Sequence, residues 1–220
     1  EELRFPLTRK IYSTVELGEM FRHAQEGLQD GEPERQKNRQ GRQLPKLEID
    51  PLLGSEAEVT AFGTLCHHRI EAKLKGEDPG TLPGELVGRP EEELNKIVET
   101  AELLAESFIA TGLGRQTMEG SFESELGFTL RVDIEGGEAV YIKGQIDLIV
   151  VGKDEVKVVD FKTDRHAQPE EHAGQLAVYR AAARELYGLP ARSYLVYLRG
   201  MEVEEVDGEV DITALCSRIN

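Results

Sequence analysis

The chain has 220 residues, of which 39% are hydrophobic and 31% charged, and a formal charge of −16. That length allows one large domain or two small ones, and the composition excludes a disordered chain. No apolar run approaches the ~20 residues of a membrane-spanning helix, so no membrane partner is expected. The charge argues against a nucleic-acid partner, because phosphate binding normally needs a basic footprint. A carboxylate-rich metal site would lift that objection, as would a neighbouring domain or subunit that holds the nucleic acid. Two cysteines, Cys66 and Cys216, are too few for a disulfide framework or a cysteine metal cluster, and point to a reducing, cytoplasmic setting. The chain opens Glu1-Glu2-Leu3-Arg4, with neither a signal peptide nor an initiator Met, and is read as a processed chain or a piece of a longer polypeptide.

In chain order, Ser13 and Glu16 have capping-box spacing, and Val15, Leu17, Met20, Phe21 and Ala24 follow at helical spacing, which predicts a first helix from Ser13. Residues 30–50 are polar and carry Gly31, Pro33, Gly41 and Pro45, a loop. A second helix is expected from Glu56 or Gly63 to Lys75, a Gly/Pro-rich loop over 76–90, and a third helix from Pro90 to Gly112 with Leu94, Ile97, Val98, Ala101, Leu104, Ala105 and Phe108 as its apolar stripe. From Gly120 the period changes to alternation, giving strands at 120–134, 139–151 and 155–162. A helix over 169–188, strands at 192–199 and 202–207 and a short helix from Asp211 complete the pattern. Helices, then a strand meander, then helix and strand again predict a mixed α/β or α+β fold with helices flanking a central sheet. The expected division is an N-terminal helical and loop extension over 1–55 and a core over 56–220.

The strands at 144–151 and 155–162 carry the chemistry. Side chains alternate along a strand, so Val156, Val158, Asp160 and Lys162 share one face, and Asp147, Ile149 and Val151 share a face of the other strand. Antiparallel pairing through either a two-residue loop at Lys153-Asp154 or a four-residue loop over 152–155 sets Asp147 opposite Asp160. Opposed residues have Cβ atoms about 4.5–5.5 Å apart. Two ionised carboxylates at that range repel, and a divalent cation relieves the repulsion; Mg²⁺ suits such an oxygen site. Lys162, two residues after Asp160, can supply positive charge to an attacking water or a phosphate. The bare acid-x-Lys spacing is not specific, for it also occurs at Glu71-Lys73 and Glu155-Lys157. Only Asp160-Lys162 follows an apolar strand and opposes a second acid.

Other candidates are weaker. Gln175 and Tyr179 lie four apart on one helix face, as core packing or as groups that bind a DNA backbone or order the lysine. His67 shares a helical face with Gly63, Cys66, Ile70 and Leu74, so it is a hydrogen-bonded core histidine or a metal ligand. Glu123 and Glu125 fall on one face of a strand, as solvent-facing acids or as part of a site. His68 is turned from the His67 face, and His166 and His172 read as surface residues. No phosphate-cradling glycine loop is visible, which argues against ATP binding.

Together these blocks resemble the RecB-like nuclease domain, a branch of the PD-(D/E)xK superfamily, over roughly residues 60–200. Gly63-Thr64-Leu65-Cys66-His67 looks like the helix with that family's metal-binding histidine, and Glu125-Leu126-Gly127-Phe128 like its acid block. Gly144-Gln145-Ile146-Asp147 is similar to its Gly-x-x-Asp block, Asp160-Phe161-Lys162-Thr163 to its Asp-Tyr/Phe-Lys-Thr block, and Gln175 to Tyr179 to its Gln-x-x-x-Tyr signature. Five landmarks in order make the signal specific. The resemblance implies a restriction-endonuclease-like core in which Asp147, Asp160 and the Phe161 carbonyl hold Mg²⁺ (Mn²⁺ substituting), and Glu125 and His67 complete the site. It further implies that Lys162 acts on the water and that Gln175 and Tyr179 line the DNA path. It implies a metal-dependent exonuclease of DNA repair and recombination, working with a helicase subunit or domain. A standalone exonuclease of the Cas4-like or phage type, and a non-catalytic DNA-steering or subunit-joining domain, are the alternatives. Some relatives carry an iron–sulfur cluster on four cysteines; with two, this chain is expected to carry none.

Overall fold

The computed structural model describes residues 11–14, 42–208 and 211–219. The strands are β1 (Ile11–Ser13), β2 (Arg42–Gln43), β3 (Ser121–Val132), β4 (Val140–Val151), β5 (Val156–Lys162), β6 (His166–Ala167), β7 (Ala191–Tyr197) and β8 (Glu202–Glu205). The helices are α1 (Glu56–Lys75), α2 (Glu91–Ile109), α3 (Gly112–Glu119), α4 (Pro169–Tyr187) and α5 (Ile212–Ile219). The helix expected from Ser13 lies outside the described residues beyond Thr14, and Ser13 itself closes β1.

Local rules account for most element ends. Ser55 and Glu58 form a capping box at the start of α1, each side chain accepting from the other's backbone N–H. Gly188 ends α4 in the left-handed conformation, φ 66°. The third expected helix ends close to its expected stop, at Ile109, and a short helix that the residue pattern did not predict, α3, follows it. Thr111 accepts from the Gly114 N–H and caps α3, and Gly114 lies so close to the end of α2 that a Cβ there would stand 2.2 Å from the Phe108 carbonyl oxygen. Gly114 thus serves close packing between consecutive helices, whereas Gly112, which reads as the stop, has open space around it.

The central sheet is mixed, in the order β1-β4-β5-β7-β8, with β3 antiparallel to β4. β5 and β7 run parallel through the α4 crossover. One layer packs α1 and α2 on the sheet, with Phe62, Leu65, Cys66, Ile70, Ile97 and Phe108 meeting Leu148, Val150, Val159 and Phe161. The other packs α4, with Leu176, Tyr179 and Ala183 meeting Ile146, Ile149, Val156, Val158 and Leu195. This is the helix-flanked sheet expected from the element pattern. Residues ahead of α1 join both layers, through Leu44 on the α4 side and Ile49 and Leu53 on the α1 side. No helix among the described residues is long and apolar enough to cross a membrane.

The edges of β4 decide where the site lies. β3 pairs along one edge of it, with only Glu125 opposite Asp147 missing from the ladder. The other edge is shared: β1 takes Tyr141 to Lys143, and β5 takes Leu148 to Val151. Residues 144–147 therefore sit in a gap between two neighbours. A Cβ at Gly144 would stand 2.6 Å from both the Phe128 ring and the Thr14 methyl, so this position accepts no side chain without displacement.

Candidate active site

The hairpin register agrees with the sequence arithmetic. Leu148 pairs with Val159 and Val151 with Val156, which places Asp147 one step beyond the ladder, across from Asp160. There the strands part, and the Asp147 carboxylate accepts a hydrogen bond from the Phe161 N–H at 2.8 Å.

Regular alternation does not survive at this level. Phe122 packs with the α1–α2 layer, whereas Leu126 and Phe128 pack with the α4 layer, although all three have the same parity. The inversion falls at Glu125, whose φ of 52° is left-handed, a conformation that costs a non-glycine residue roughly 1–3 kcal/mol. Ile146 and Leu148 likewise face opposite layers across Asp147. Glu123 and Glu125 therefore do not share a face. Glu123 accepts from the Tyr187 hydroxyl of α4 at 2.7 Å, while Glu125 turns towards α1.

On α1, His67 meets both acids. Its Nδ1 lies 3.8 Å from Asp147 Oδ1 and 4.0 Å from Glu125 Oε1, and its Nε2 lies 3.2 Å from the Phe161 carbonyl oxygen. A proton on Nε2, donated to that carbonyl, orients the ring and turns the Nδ1 lone pair towards the carboxylates, the arrangement of a metal-binding imidazole. The ring also sits edge-on to Phe161 at 5.7 Å. Gly63, one turn earlier, brings α1 against the end of β5, since a Cβ there would lie 3.2 Å from the Thr163 hydroxyl. His67, Glu125 and Asp147 each offer a ligand atom within 4.8 Å of the others, a group able to hold a metal ion.

Asp160 and Lys162 face the α4 side. The Lys162 ammonium lies 2.8 Å from Asp160 Oδ2, yet out of line for a hydrogen bond, so this oxygen is buried beside a charge and without an aligned donor. Asp160 is 2% exposed and is not among the three groups that converge, His67, Glu125 and Asp147. The Phe161 carbonyl serves as the partner of His67. Tyr179 is 3% exposed, edge-on to Phe128, and its hydroxyl accepts from Gln175 Nε2 at 2.7 Å. Both therefore stand behind the hairpin, with Tyr179 inside the α4 layer.

Electrostatics follow burial. Burial pushes the carboxyls of Glu125, Asp147 and Asp160 above the usual range; His67 opposes this at the first two and Lys162 at the third. Burial alone would push the Lys162 ammonium down, but Asp160 and Asp147 outweigh it and hold it above the usual lysine value. Lys162 thus stays cationic. Three crowded acids, one of them paired with an ammonium, and a hydrogen-bonded imidazole make a donor set suited to a divalent cation.

Three further groups shape the site without a signal in the residue pattern. Gln145 Nε2 donates to Glu125 Oε2 at 2.6 Å. Arg199 makes a bidentate pair with Asp50, at 2.8 and 3.0 Å, and donates from Nε to the Thr163 carbonyl at 2.6 Å. That carbonyl directly follows Lys162.

A protein-family model for the PD-(D/E)XK nuclease superfamily matches residues 37–214, a span that holds His67, Glu125, Asp147, Asp160 and Lys162. An ATP-dependent helicase/nuclease subunit of Streptococcus pyogenes serotype M3 is 29% identical over 163 residues, 70% of this chain and 13% of that protein. The serotype M12 protein of the same name is 33% identical over 69% of this chain, again 13% of its own length. The chain thus matches a small part of these curated relatives. A solved structure described as a candidate exonuclease from Eubacterium rectale overlays 72% of this chain and 62% of its own at 14% identity and a TM-score of 0.42, too low to add to the fold assignment. With the family model spanning most of the chain, and with the paired acids and lysine on adjacent strands, this chain belongs to the PD-(D/E)XK nuclease superfamily.

Proposed function

We propose that this chain is a divalent-metal-dependent deoxyribonuclease that hydrolyses phosphodiester bonds. The convergence of His67 Nδ1, Glu125 and Asp147 beside the Asp160–Lys162 pair carries this reading. His67, Glu125 and Asp147 hold Mg²⁺ or Mn²⁺, with Asp160 and the Phe161 carbonyl at the border of the site. A bound divalent ion lowers the pKa of a coordinated water and neutralises phosphate charge. Lys162, kept protonated by its two acids, stabilises the charge that grows on the phosphate and orients the water. Gln175 and Tyr179 support the strand end that bears Asp160.

The relatives support a finer reading. The name of the streptococcal helicase/nuclease protein gives both activities, and this chain corresponds to 13% of it. We take it to be the nuclease portion of such a machine, an exonuclease in DNA end processing, recombination and repair in the cytoplasm, with DNA as substrate and, as partner, a helicase subunit or domain. We place the chain-order boundary between extension and core at 55/56, with β1 and Leu44, Ile49 and Leu53 of the extension packed onto the 56–220 core.

The test is cleavage of linear and circular DNA, single- and double-stranded, with Mg²⁺ or Mn²⁺, an EDTA control and Asp147→Ala. Metal-dependent cutting lost in the variant is expected, with circular DNA spared. Metal titration that finds no binding refutes the reading. Binding without cutting favours the non-catalytic alternative, for which the −16 charge speaks.

A further inference from the structure

Glu125 reaches the metal-binding group only because β3 breaks at a left-handed residue, so something must hold that break. Gln145 secures the carboxylate end by its bond to Oε2. The backbone end is secured from α1. Glu71 lies one turn beyond His67, and it lines the pocket that also holds His67, Glu125 and Asp147. Its Oε1 accepts from the Ser124 hydroxyl at 2.8 Å. Ser124 immediately precedes Glu125. The same oxygen accepts from Lys75 at 2.6 Å, a helical i,i+4 pair that offsets a fourth negative charge near the site.

We propose that Glu71 is a positioning residue for the metal site: through Ser124 it anchors β3 to α1 at the point where Glu125 turns towards His67. The inference rests on the metal-site reading above. Glu71 touches neither substrate nor metal in this role; it determines where the Glu125 carboxylate stands relative to a histidine on its own helix. His67 and Glu71 act as two pegs, one for the ion and one for the strand that supplies the next ligand. Outer partners that orient ligands typically matter by about 10–100-fold in metal affinity or activity.

Three variants of the purified chain separate this role from others: Glu71→Ala, Ser124→Ala and Glu71→Gln. The glutamine keeps an oxygen for Ser124 and loses only the charge. Mg²⁺ alone is titrated calorimetrically without DNA, and amide hydrogen exchange over residues 123–126 is measured in metal-free protein. Glu71→Ala and Ser124→Ala are expected to weaken Mg²⁺ binding about ten-fold and to speed exchange in that segment, with Glu71→Gln close to the parent. If Glu71→Gln loses as much as Glu71→Ala while Ser124→Ala is silent, Glu71 acts by charge or as a direct ligand and the proposal is overturned. Unchanged exchange in all three also overturns it. If the parent chain binds no Mg²⁺, the nuclease reading fails, while exchange still decides whether Glu71 anchors β3.

Discussion

Replacing Asp50 by Ala tests the support behind Lys162. The Arg199 side chain is 2% exposed and that of Asp50 is 9% exposed, so their bidentate pair is almost dry. Removing the carboxylate leaves the guanidinium buried with the Thr163 carbonyl as its remaining hydrogen-bond partner here, and also strips the Leu47 N–H of its acceptor. Breaking a buried pair from one side costs about 3–5 kcal/mol. Arg199 keeps one good bond and Arg165 reaches Asp50 only from a half-exposed position, so the lower end, about 3 kcal/mol, is expected. Against a total stability of about 5–15 kcal/mol the variant still folds. Urea unfolding should show a lower midpoint with an unchanged slope. Burial pushes the Asp50 carboxyl up, but Arg199, the Leu47 N–H and Arg165 hold it below its ordinary value. A lowered folded pKa contributes stability above the unfolded value that is lost as pH falls through the folded one, so the gap between parent and Asp50→Asn should shrink in acid. Paired replacement, Asp50→Met with Arg199→Leu, should recover most of the loss. A cost under about 1 kcal/mol for Asp50→Ala, or a gap independent of pH, refutes the argument.

Asp160→Ala should abolish cleavage and leave the metal-free fold intact, because its carboxylate is buried against its own ionisation; circular dichroism beside the nuclease assay checks both. Lys162→Ala should slow cleavage while Mg²⁺ binding survives by calorimetry. Gly144→Ala forces a methyl into Phe128 and Thr14 and should lower stability by about 1–3 kcal/mol in thermal melts. The raised carboxyls of Glu125, Asp147 and Asp160 favour the folded state while protonated. Their stabilisation is complete below the unfolded carboxyl pKa and is lost as pH rises through the folded values, so metal-free protein should weaken across that window and Mg²⁺ should restore it.

Much of this was legible in the sequence because it obeys local periods. The β4–β5 hairpin follows from alternation and the Gly152-Lys153-Asp154 turn, and the observed pairs are the ones that set Asp147 across from Asp160. His67 follows from helical spacing with Gly63 and Ile70. What escaped breaks a period or spans the chain. Alternation puts Glu125 with Glu123, and only a positive φ at a glutamate separates them; no residue pattern announces that strain. Asp50 and Arg199 are 149 residues apart and look like two surface charges until the fold closes over them. Glu71 reads as one of several solvated acid–lysine pairs, and its bond to Ser124 exists only once α1 lies across β3. The short helix α3 escaped because it carries glycines at 112 and 114, which read as a stop after the third helix.

The placement of the acids also bears on how a chain of charge −16 could meet a polyanion. The negative charge nearest the chemistry is not spread over a surface. It lies in one buried carboxyl, Asp160, and two partly buried ones, Asp147 and Glu125, whose ionisation burial already opposes. Metal-free, this pocket repels a phosphate and resists its own full charging at once. Binding a divalent cation offsets both, because the ion favours ionised ligands and, together with the Lys162 ammonium paired with Asp160, balances the charge of the three carboxylates. Metal and DNA should therefore bind with positive coupling at this site: each must tighten the other by the same factor. The remaining surface adds little attraction, so affinity for DNA without metal should be weak and should fall steeply with salt only to the extent that a few lysines and arginines contact phosphate.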